Sequence, residues 1–468
     1  MRAPIVIAEH ESIKELGDLA KYKDKISKAF GDALKTEKDK VKKHLGVDAN
    51  LTASYFIGAS WLNIDEIEEP IPFQVIPKNI DRTNDVNQTD YVKMFATALE
   101  VDSSDEAEYF SDYYHIDFDS PKIEVDAESN LMTPLLLLHY LSILTQLTKR
   151  GLRKGYVQRE ENLQSKVRGR ILFTQNLRKN ILNKREDRVY CKFQEYTVDT
   201  PENRFLKKAL LFTETALQNI PSLQGDLADD IFQRIGTLET SFALVSEDSS
   251  SAKTFTSSSS KLYSHYSEAI KVAEMVLQFC DYDMDKSGKN KYHVRPFCID
   301  MSRLYEMYVF HLLNTAYPGQ IKFQVKGRHG TQVDFIKVSN YEKIILDAKY
   351  KPKYAKGNSG IVDDVREISG YARDKKILKE LGWYNENGLS VDGKLGKLFP
   401  DCVIIYPVVQ VEENDDEDSP NSVVEKDCAC QNDFMENTSI IHQCDEIKAF
   451  EGFYKIAIPL PVKRNNTK

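Results

Sequence analysis

The sequence lacks an uninterrupted apolar run long enough to cross a membrane. The most apolar segment, residues 133–147, is broken by His139, Ser142, Thr145 and Gln146. It falls short of the roughly 18 apolar residues that a membrane span needs, so we expect a core helix there. The first residues, MRAPIVIAEHESIKE, turn charged at once, and no secretory leader is expected.

Cysteines are few and follow no framework. The chain has seven, an odd number that cannot all pair internally, which favours a reducing, cytoplasmic setting. The closest approach to a metal-ligand cluster is Cys428 and Cys430, followed by His442 and Cys444. Because this spacing matches no common zinc pattern, we interpret the segment as a loop with incidental cysteines, and a zinc site is the alternative.

A nucleotide-binding loop and internal repeats are also missing. No GxxxxGK[ST] motif occurs in the chain, so any dependence on a nucleotide has to come from another subunit. The 468 residues are 41% hydrophobic and 29% charged, which predicts a globular protein with an ample core. At roughly 100–200 residues per domain, this length suggests two to four domains.

Charge is unevenly distributed along the chain. The net charge of −9 argues against a protein that coats nucleic acid by bulk attraction. Residues 1–130 carry 15 Lys and Arg against 27 Asp and Glu, whereas residues 149–192 carry 14 against 4. This asymmetry suggests different partners for the two parts, although each block taken alone is also compatible with an ordinary solvated surface.

The pattern of apolar residues predicts three domains in a multi-domain α+β chain. Residues 1–130 are mixed and rich in strand-like runs, and residues 131–290 are helical with a serine-rich connector. Residues 291–468 form an α/β domain. The helices predicted in the middle domain cover residues 134–149, 203–219, 225–244 and 262–279.

The C-terminal domain is predicted to contain a helix, three strands, a helix and a strand, in that order. Asp300 is predicted to be the N-cap of the first helix, which Pro318 and Gly319 end. The second helix covers residues 361–381. The strands are predicted at residues 321–325, 331–338, 343–350 and 401–410, with a further strand at 453–462.

Two aspartates and a lysine stand out on the predicted hairpin of residues 331–350, which turns at Ser339 and Asn340. Asp347 and Lys349 lie on one face of a strand that begins with Ile344, Ile345 and Leu346, and Asp334 is thirteen residues upstream. Two adjacent carboxylates repel unless a cation lies between them, and hard oxygen ligands suit Mg²⁺, for which Mn²⁺ is the substitute. Lys349 is placed to hold an attacking water and to offset phosphate charge. An ordinary salt bridge on an edge strand is the alternative, which the apolar triplet argues against.

The spacing D-x12-D-x-K on this arrangement resembles the PD-(D/E)xK nuclease superfamily. The resemblance implies a phosphodiester-cleaving site with Asp334, Asp347 and Lys349 as catalytic residues, and with Ala348 beside the two aspartates in the metal-binding set. It also implies that Glu306, on the preceding helix, binds a metal through water or orients Lys349. A half-exposed helix glutamate is the alternative reading of Glu306.

Two further stretches resemble a narrower family. The segment from residue 165 to 212, with RGR at 168–170 and DTPENRFLKKAL at 199–210, is similar to the middle region of McrC proteins, the nuclease subunits of McrBC and LlaJI-type restriction systems. DMSRLYEMYV and LDAKYK resemble that family's helix and catalytic strand. Family members often carry Q-x-x-x-Y after the site, where this chain has Glu367 ahead of Tyr371. An acid at Glu367 is expected to add to the metal shell.

The resemblance implies that the nuclease acts with a hexameric McrB-like AAA+ GTPase in a bacterial or archaeal cytoplasm, with no membrane association and no covalent cofactor. GTP then enters only through the partner. The acidic N-terminal region is expected to dock that ring, because DNA affinity depends on neutralising phosphates. The basic block is expected to bind DNA through Arg168, Arg170 and Arg178, with Lys351 beside the site.

Two other functions remain open from the sequence. The chain is alternatively a regulatory scaffold that activates an AAA+ ring without cutting, which the unusual Glu367 favours. It is alternatively a stand-alone DNA-processing nuclease of the same superfamily, which would need no GTP and no partner.

Overall fold

A computed structural model shows two compact units: unit 1 comprises Met1–Met132 and Met284–Lys468, and unit 2 comprises Thr133–Asp283. Unit 2 falls within the middle domain predicted at residues 131–290. The division into three domains stays a prediction. The structure describes residues 4–13, 22–34, 45–64, 69–77, 89–99, 113–126, 130–220, 223, 225–247, 264–279, 291–328, 330–351, 361–383, 398–408, 434 and 438–462.

The N-terminal part of unit 1 is mixed in secondary structure, as predicted. In chain order, its elements are β1 (Ile5–Ala8), α1 (Lys23–Leu34), β2 (Phe56–Leu62), β3 (Ile71–Ile76), α2 (Tyr91–Ala98), β4 (Tyr114–Ile116) and β5 (Ile123–Asp126). β2 and β3 are almost entirely buried, and they pair antiparallel with each other.

Unit 2 contains a sheet as well as helices, so the prediction of a helical middle domain is incomplete. Its elements are α3 (Met132–Lys149), β6 (Gly155–Gln164), β7 (Arg170–Ile171), α4 (Phe173–Lys179), β8 (Arg188–Thr197), α5 (Pro201–Gln218), α6 (Asp226–Ser241) and α7 (Ser264–Phe279). The strands form a three-stranded antiparallel sheet in the order β6-β8-β7. Charged residues occupy three consecutive positions of β6, Arg159, Glu160 and Glu161, and they conceal the period-2 pattern of a strand.

The C-terminal part of unit 1 contains the predicted series of elements, but one predicted helix is divided in two. It also contains three short strands that the sequence did not predict, Lys291–Val294, Phe297–Asp300 and Asp445–Glu446. In chain order, its elements are β9 (Lys291–Val294), β10 (Phe297–Asp300), α8 (Met301–Ala316), β11 (Ile321–Lys326), β12 (Gln332–Val338), β13 (Lys343–Ala348), α9 (Ile361–Tyr371), α10 (Lys375–Glu380), β14 (Asp401–Val408), β15 (Asp445–Glu446) and β16 (Phe453–Pro459). The single helix predicted at residues 361–381 is two helices. Asp374 interrupts it with extended backbone and caps the second helix by accepting from the Lys376 amide.

Two sheets organise unit 1. The first has the order β1-β3-β2-β10-β4, and the second has the order β11-β12-β13-β14-β16-β15. β10 lies inside the first sheet, and its last residue, Asp300, caps α8 by accepting from the Arg303 amide. The first sheet therefore fixes the start of the helix that leads into the second sheet.

The central strands of the second sheet are covered on both faces. On one face, Ile336 and Ile345 pack with Val365 and Ile368 of α9. On the other face, the ring of Phe335 stacks on Phe310 of α8, with centroids 6.1 Å apart. Full burial of one such aliphatic side chain contributes about 1.5–3 kcal/mol, so these contacts hold the hairpin in place.

Among the described residues, no helix combines the length and the apolar character that crossing a bilayer requires.

A buried ion pair stabilises the closed end of the β12–β13 hairpin. Lys337 Nζ lies 2.7 Å from Glu342 Oε2, and both side chains are buried. Glu342 also accepts from Ser439 Oγ and from the Ile440 amide. Burial by itself would raise the pKa of Glu342, but these donors outweigh burial and the pKa falls. This stabilisation is therefore present above the usual glutamate pKa and is lost as the pH falls through the lowered value.

We predict that Glu342→Ala lowers the free energy of unfolding by about 3–5 kcal/mol, because it leaves the Lys337 ammonium buried and unpaired. Urea denaturation at neutral pH measures the change. Glu380→Ala is the matched control, since it breaks the exposed Lys322–Glu380 pair of 3.0 Å and should cost less than about 1 kcal/mol. Equal losses in the two variants would contradict the prediction.

Candidate active site

The β12–β13 hairpin brings Asp334 and Asp347 together. Phe335 pairs with Leu346 in the antiparallel register, so the next pair outward is Asp334 opposite Asp347, with both side chains on one face. The Ala348 amide donates to Asp334 Oδ2 at 2.8 Å. Ala348 therefore lies against the first aspartate and directly follows the second.

The length of the turn decides this pairing. Val338 pairs with Lys343, so the connection has four residues, 339–342, and includes the predicted turn residues Ser339 and Asn340. A two-residue turn at Ser339 and Asn340 would shift the register and place Asp334 opposite Ile345 instead. Ser339 holds the longer turn closed: its amide donates to the Glu342 carbonyl, and its Oγ accepts from the Glu342 amide.

Lys349 lies between two carboxylates. Its Nζ is 2.8 Å from Asp347 Oδ2 and 3.0 Å from Glu367 Oε2 of α9. The Tyr371 hydroxyl, one turn further along α9, donates to Glu367 Oε1 at 2.9 Å. In the structure, Glu367 therefore forms an ion pair with Lys349. The sequence had predicted that Glu367 would instead be a further metal ligand.

Glu306 of α8 completes an acidic cluster. Its carboxyl interacts electrostatically with Asp347 and Lys349, and Asp334 in turn responds to the charge of Glu306. The structure therefore brings together all five residues that the sequence assigned to catalysis: Glu306, Asp334, Asp347, Lys349 and Glu367. Their catalytic roles stay predictions.

The site perturbs the ionisation of its own members. Burial, followed by neighbouring carboxylates, raises the pKa of Asp334 well above its usual value and the pKa of Glu306 to about 7. Burial also raises the pKa of Asp347, and Lys349 offsets only part of that effect. For Lys349, burial would lower the pKa, but Asp347 and Glu367 outweigh burial and raise it. Such a cluster carries excess negative charge that a cation would stabilise.

The donor set fits a hard divalent cation. Asp347 Oδ2 is buried and accepts no hydrogen bond of acceptable geometry from the described residues, although the Lys349 ammonium is within ion-pair distance. The described part of the chain contains no cluster of three His, Cys, Asp or Glu side chains arranged to hold a metal. An ion bound by Asp334, Asp347 and the Ala348 carbonyl would therefore keep water or phosphate ligands, as Mg²⁺ usually does.

Of the residues predicted to bind DNA, Lys351 interacts electrostatically with Glu367 of the acidic cluster. Lys351 Nζ is 2.8 Å from Asp364 Oδ1 in the first turn of α9. Arg168, Arg170 and Arg178 belong to unit 2. Arg168 stacks on Phe193 with 4.5 Å to the ring centroid, Arg170 pairs with Lys192 across β7 and β8, and Arg178 is in the last turn of α4.

The proposed zinc alternative finds no support in the described residues. Cys428 and Cys430 lie outside them. The Cys444 thiol donates to the Ile440 carbonyl at 3.1 Å.

Sequence reasoning missed Asp364, which is buried and holds Lys351. A signal for it exists. Lys349 and Lys351 are two residues apart in the segment that directly follows β13, and Asp364 and Glu367 are three residues apart on one helix face. The distance between the two lysines is similar to the distance between the two acids, so Lys349 pairs with Glu367 and Lys351 pairs with Asp364.

Comparison of the sequence with known protein families identifies the family of the chain. The sequence profile described as the McrBC 5-methylcytosine restriction system component matches residues 75–364, more than half of the chain. The chain belongs to this family. The resemblance seen in the RGR and DTPENRFLKKAL segments is thereby confirmed, and this McrBC-family chain is a restriction system component.

Two solved structures are similar to the chain at low identity. One is an assembly of Thermococcus gammatolerans McrB AAA+ hexamers with bound McrC, at 14% identity and a TM-score of 0.38, with 98% of this chain and 95% of that chain covered. The other is the Thermococcus gammatolerans McrBC complex, at 17% identity and a TM-score of 0.28, with 66% and 87% covered. No curated protein matches the chain.

We predict that Glu306→Gln stabilises the metal-free protein in a pH-dependent manner. Because the folded-state pKa of Glu306 is raised from 4.5 to about 7, ionised Glu306 destabilises the folded protein at pH 8 and protonation relieves this as the pH falls. In EDTA, the variant should gain about 1–3 kcal/mol of unfolding free energy at pH 8. The gain should shrink toward zero near pH 4.5.

The measurement is urea denaturation across this pH range, with Glu446→Gln as the control. Glu446 is an exposed glutamate on the edge strand β15, far from the acidic cluster in strand order. A gain for Glu306→Gln that is the same at pH 5 and pH 8 would show that Glu306 does not carry the predicted charge.

Proposed function

We propose that this McrBC-family chain is the McrC-like, Mg²⁺-dependent DNA endonuclease subunit of a GTP-dependent restriction system. The observation that carries the proposal is the hairpin register that sets Asp334 opposite Asp347, with Lys349 held 2.8 Å from Asp347. One buried and one half-buried carboxylate beside an ammonium group are the groups that metal-assisted phosphodiester hydrolysis uses.

Each residue has a distinct role in this proposal. Asp334, Asp347 and the Ala348 carbonyl would hold the ion, which supplies charge stabilisation at the phosphate and lowers the pKa of water. Lys349 donates from its ammonium group toward a phosphate oxygen or the attacking water. Glu367 keeps Lys349 in place when Asp347 is engaged elsewhere, and Tyr371 fixes the Glu367 carboxylate through its hydroxyl.

Glu306 has a different part. With a pKa of about 7, it is able to accept or release a proton near neutral pH. It lies on a helix whose first turn is fixed by Asp300 and the first sheet. We assign it the orientation of water near the two aspartates.

The proposed partner is an McrB-like AAA+ GTPase hexamer. The chain contains no Walker A motif, and a restriction component without one needs another subunit to use GTP. The acidic N-terminal region, with a net charge of −12 over residues 1–130, is the proposed docking region, because its charge disfavours DNA. DNA is assigned to the basic block of unit 2, through Arg168, Arg170 and Arg178.

A regulatory scaffold is the second candidate. The observation that favours it is the Lys349–Glu367 pair, because an acid on the catalytic lysine adds negative charge where a phosphate would have to approach. Under this second candidate, the chain activates a GTPase ring without cutting DNA, so both activities have to be measured.

We predict that Asp334→Ala, Asp347→Ala and Lys349→Ala each lower the rate of DNA cleavage on the order of 100-fold or more, because each removes a group that stabilises developing charge. Nicking and linearisation of plasmid DNA, with the GTPase partner, GTP and Mg²⁺ present, measure the rate. Glu446→Ala on the far edge strand is the control and should cut like the wild type. Undiminished cleavage in all three variants would end the nuclease assignment.

We predict that one preparation of the wild-type chain both stimulates GTP hydrolysis by the partner and cuts DNA. The Asp347→Ala chain should keep the stimulation and lose the cleavage, because the aspartate side chain is buried and its removal leaves the protein surface unchanged. Phosphate release and strand scission are measured in the same reaction. Stimulation by a wild-type chain that cuts no DNA would favour the scaffold.

A further inference from the structure

A strongly basic surface of unit 1 borders the acidic cluster. Residues 322–331 and 373–380 carry seven Lys and Arg against two acids. One acid, Glu380, pairs with Lys322, and the other, Asp374, accepts main-chain and hydroxyl hydrogen bonds. The six exposed cations that remain define what we call the turn–helix surface: Lys326, Arg328, Arg373, Lys375, Lys376 and Lys379.

Asp374 fixes the two halves of the turn–helix surface to each other. Its Oδ2 accepts from the Arg328 amide at 2.7 Å and from Thr331 Oγ1 at 3.1 Å. Its Oδ1 accepts from the Lys376 amide at 2.8 Å. Gly327 allows this close approach, since a Cβ there would lie 2.5 Å from Asp374 Oδ2. The backbone that presents the cations is therefore rigid, which lowers the entropy cost of binding.

One of the cations is also held by its side chain. The Arg373 guanidinium lies over Phe399, with 4.5 Å to the ring centroid, and donates to the Ser369 carbonyl at 2.8 Å. An arginine whose plane is fixed keeps free N–H donors in a known direction, which suits a phosphate.

Two short chain segments connect the turn–helix surface to the candidate active site. Thr331 is followed by β12, and Asp334 is the third residue after it, which at roughly 3.3 Å per strand residue is a distance of about 10 Å. Arg373 is the second residue after Tyr371, which donates to Glu367. At an axial rise of roughly 3.4 Å per nucleotide, a DNA strand crosses that distance in about three nucleotides.

The many carboxyl groups of the site mean that an anionic ligand would have to be bound by cations outside it. The carboxyl groups of Glu306, Asp334, Asp347 and Glu367 all interact with the one ammonium group of Lys349, so the reacting position itself offers a polyanion little positive charge. We propose that the turn–helix surface binds the phosphate backbone of duplex DNA on one side of the bond that is cut. This proposal rests on the nuclease function proposed above and names a DNA contact of the same site.

Binding of the full chain to a short fluorescein-labelled DNA duplex tests the proposal. Fluorescence anisotropy in EDTA gives the binding constant over a series of KCl concentrations. The variants are Arg328→Ala/Arg373→Ala and Lys375→Ala/Lys376→Ala, so that loss of the Phe399 contact does not decide the result alone. The control is Lys448→Ala, an exposed lysine between β15 and β16 at the opposite edge of the same sheet.

Each double variant removes two phosphate contacts, so the slope of log K against log salt should become shallower by about 1.8. Affinity at 0.1 M salt should fall on the order of 10-fold or more. The Lys448→Ala chain should keep the wild-type slope. Cleavage with the partner, GTP and Mg²⁺ is measured on the same preparations.

Double variants that bind like the wild type overturn the proposal, and if the wild type cuts DNA, the nuclease function still stands. Displacement of the duplex by polyglutamate at equal charge concentration overturns it too, because an acidic protein would then be the better occupant. A wild-type chain that cuts no DNA contradicts the proposed function itself, so the two failures are distinguishable.

Discussion

The pairing of β12 with β13 is the interaction on which the candidate site depends. A four-residue turn sets the register, and the register sets two aspartates opposite each other on a buried face. A shift of one residue would turn one of these side chains to the opposite face of the sheet. Much of the surrounding structure protects the pairing: the Lys337–Glu342 ion pair closes one end, and helices α8 and α9 cover both faces.

The two sheets of unit 1 cooperate in building the site. β10 is an interior strand of the first sheet, and Asp300 at its end caps the helix that carries Glu306. Tyr350, the residue after Lys349, donates to Glu9 at the end of β1, at 3.3 Å. Both residues are buried. The N-terminal part of unit 1 therefore contacts both the segment after β13 and the helix that supply the acidic cluster. A displacement of that N-terminal part would displace these cluster residues as well.

Charge balance is the second theme of the molecule. The site concentrates carboxylates in a buried place, where each raises the pKa of its neighbours. Lys349 is the cation that lies among them, and it is shared between Asp347 and Glu367. A divalent ion between Asp334 and Asp347 would reduce the repulsion between these carboxylates, because it supplies positive charge in addition to that of Lys349. If the chain cuts DNA as proposed, the same acidic cluster would leave the attraction of the anionic substrate to cations outside it.

Local patterns in the sequence predicted the elements of the C-terminal part well. The 3.6-residue spacing gave the helix after Asp300, and the apolar triplet before Asp347 predicted a central strand. Patterns failed where polar side chains obscured the period, as in β6, and where one residue interrupted a helix, as at Asp374. In both places, a hydrogen-bonding partner distant in the sequence determines the structure.

By itself, the sequence determined the chemistry that is available: two aspartates and a lysine at fixed spacing, a missing nucleotide-binding loop, and the motifs that mark the McrBC family. Only the tertiary structure decided which of these groups meet. The turn length that opposes Asp334 to Asp347, the glutamate that holds Lys349, and the aspartate that holds Lys351 depend on contacts between segments far apart in the chain. Side-chain packing and main-chain hydrogen bonds jointly determine these contacts, so they cannot be predicted from a local sequence pattern.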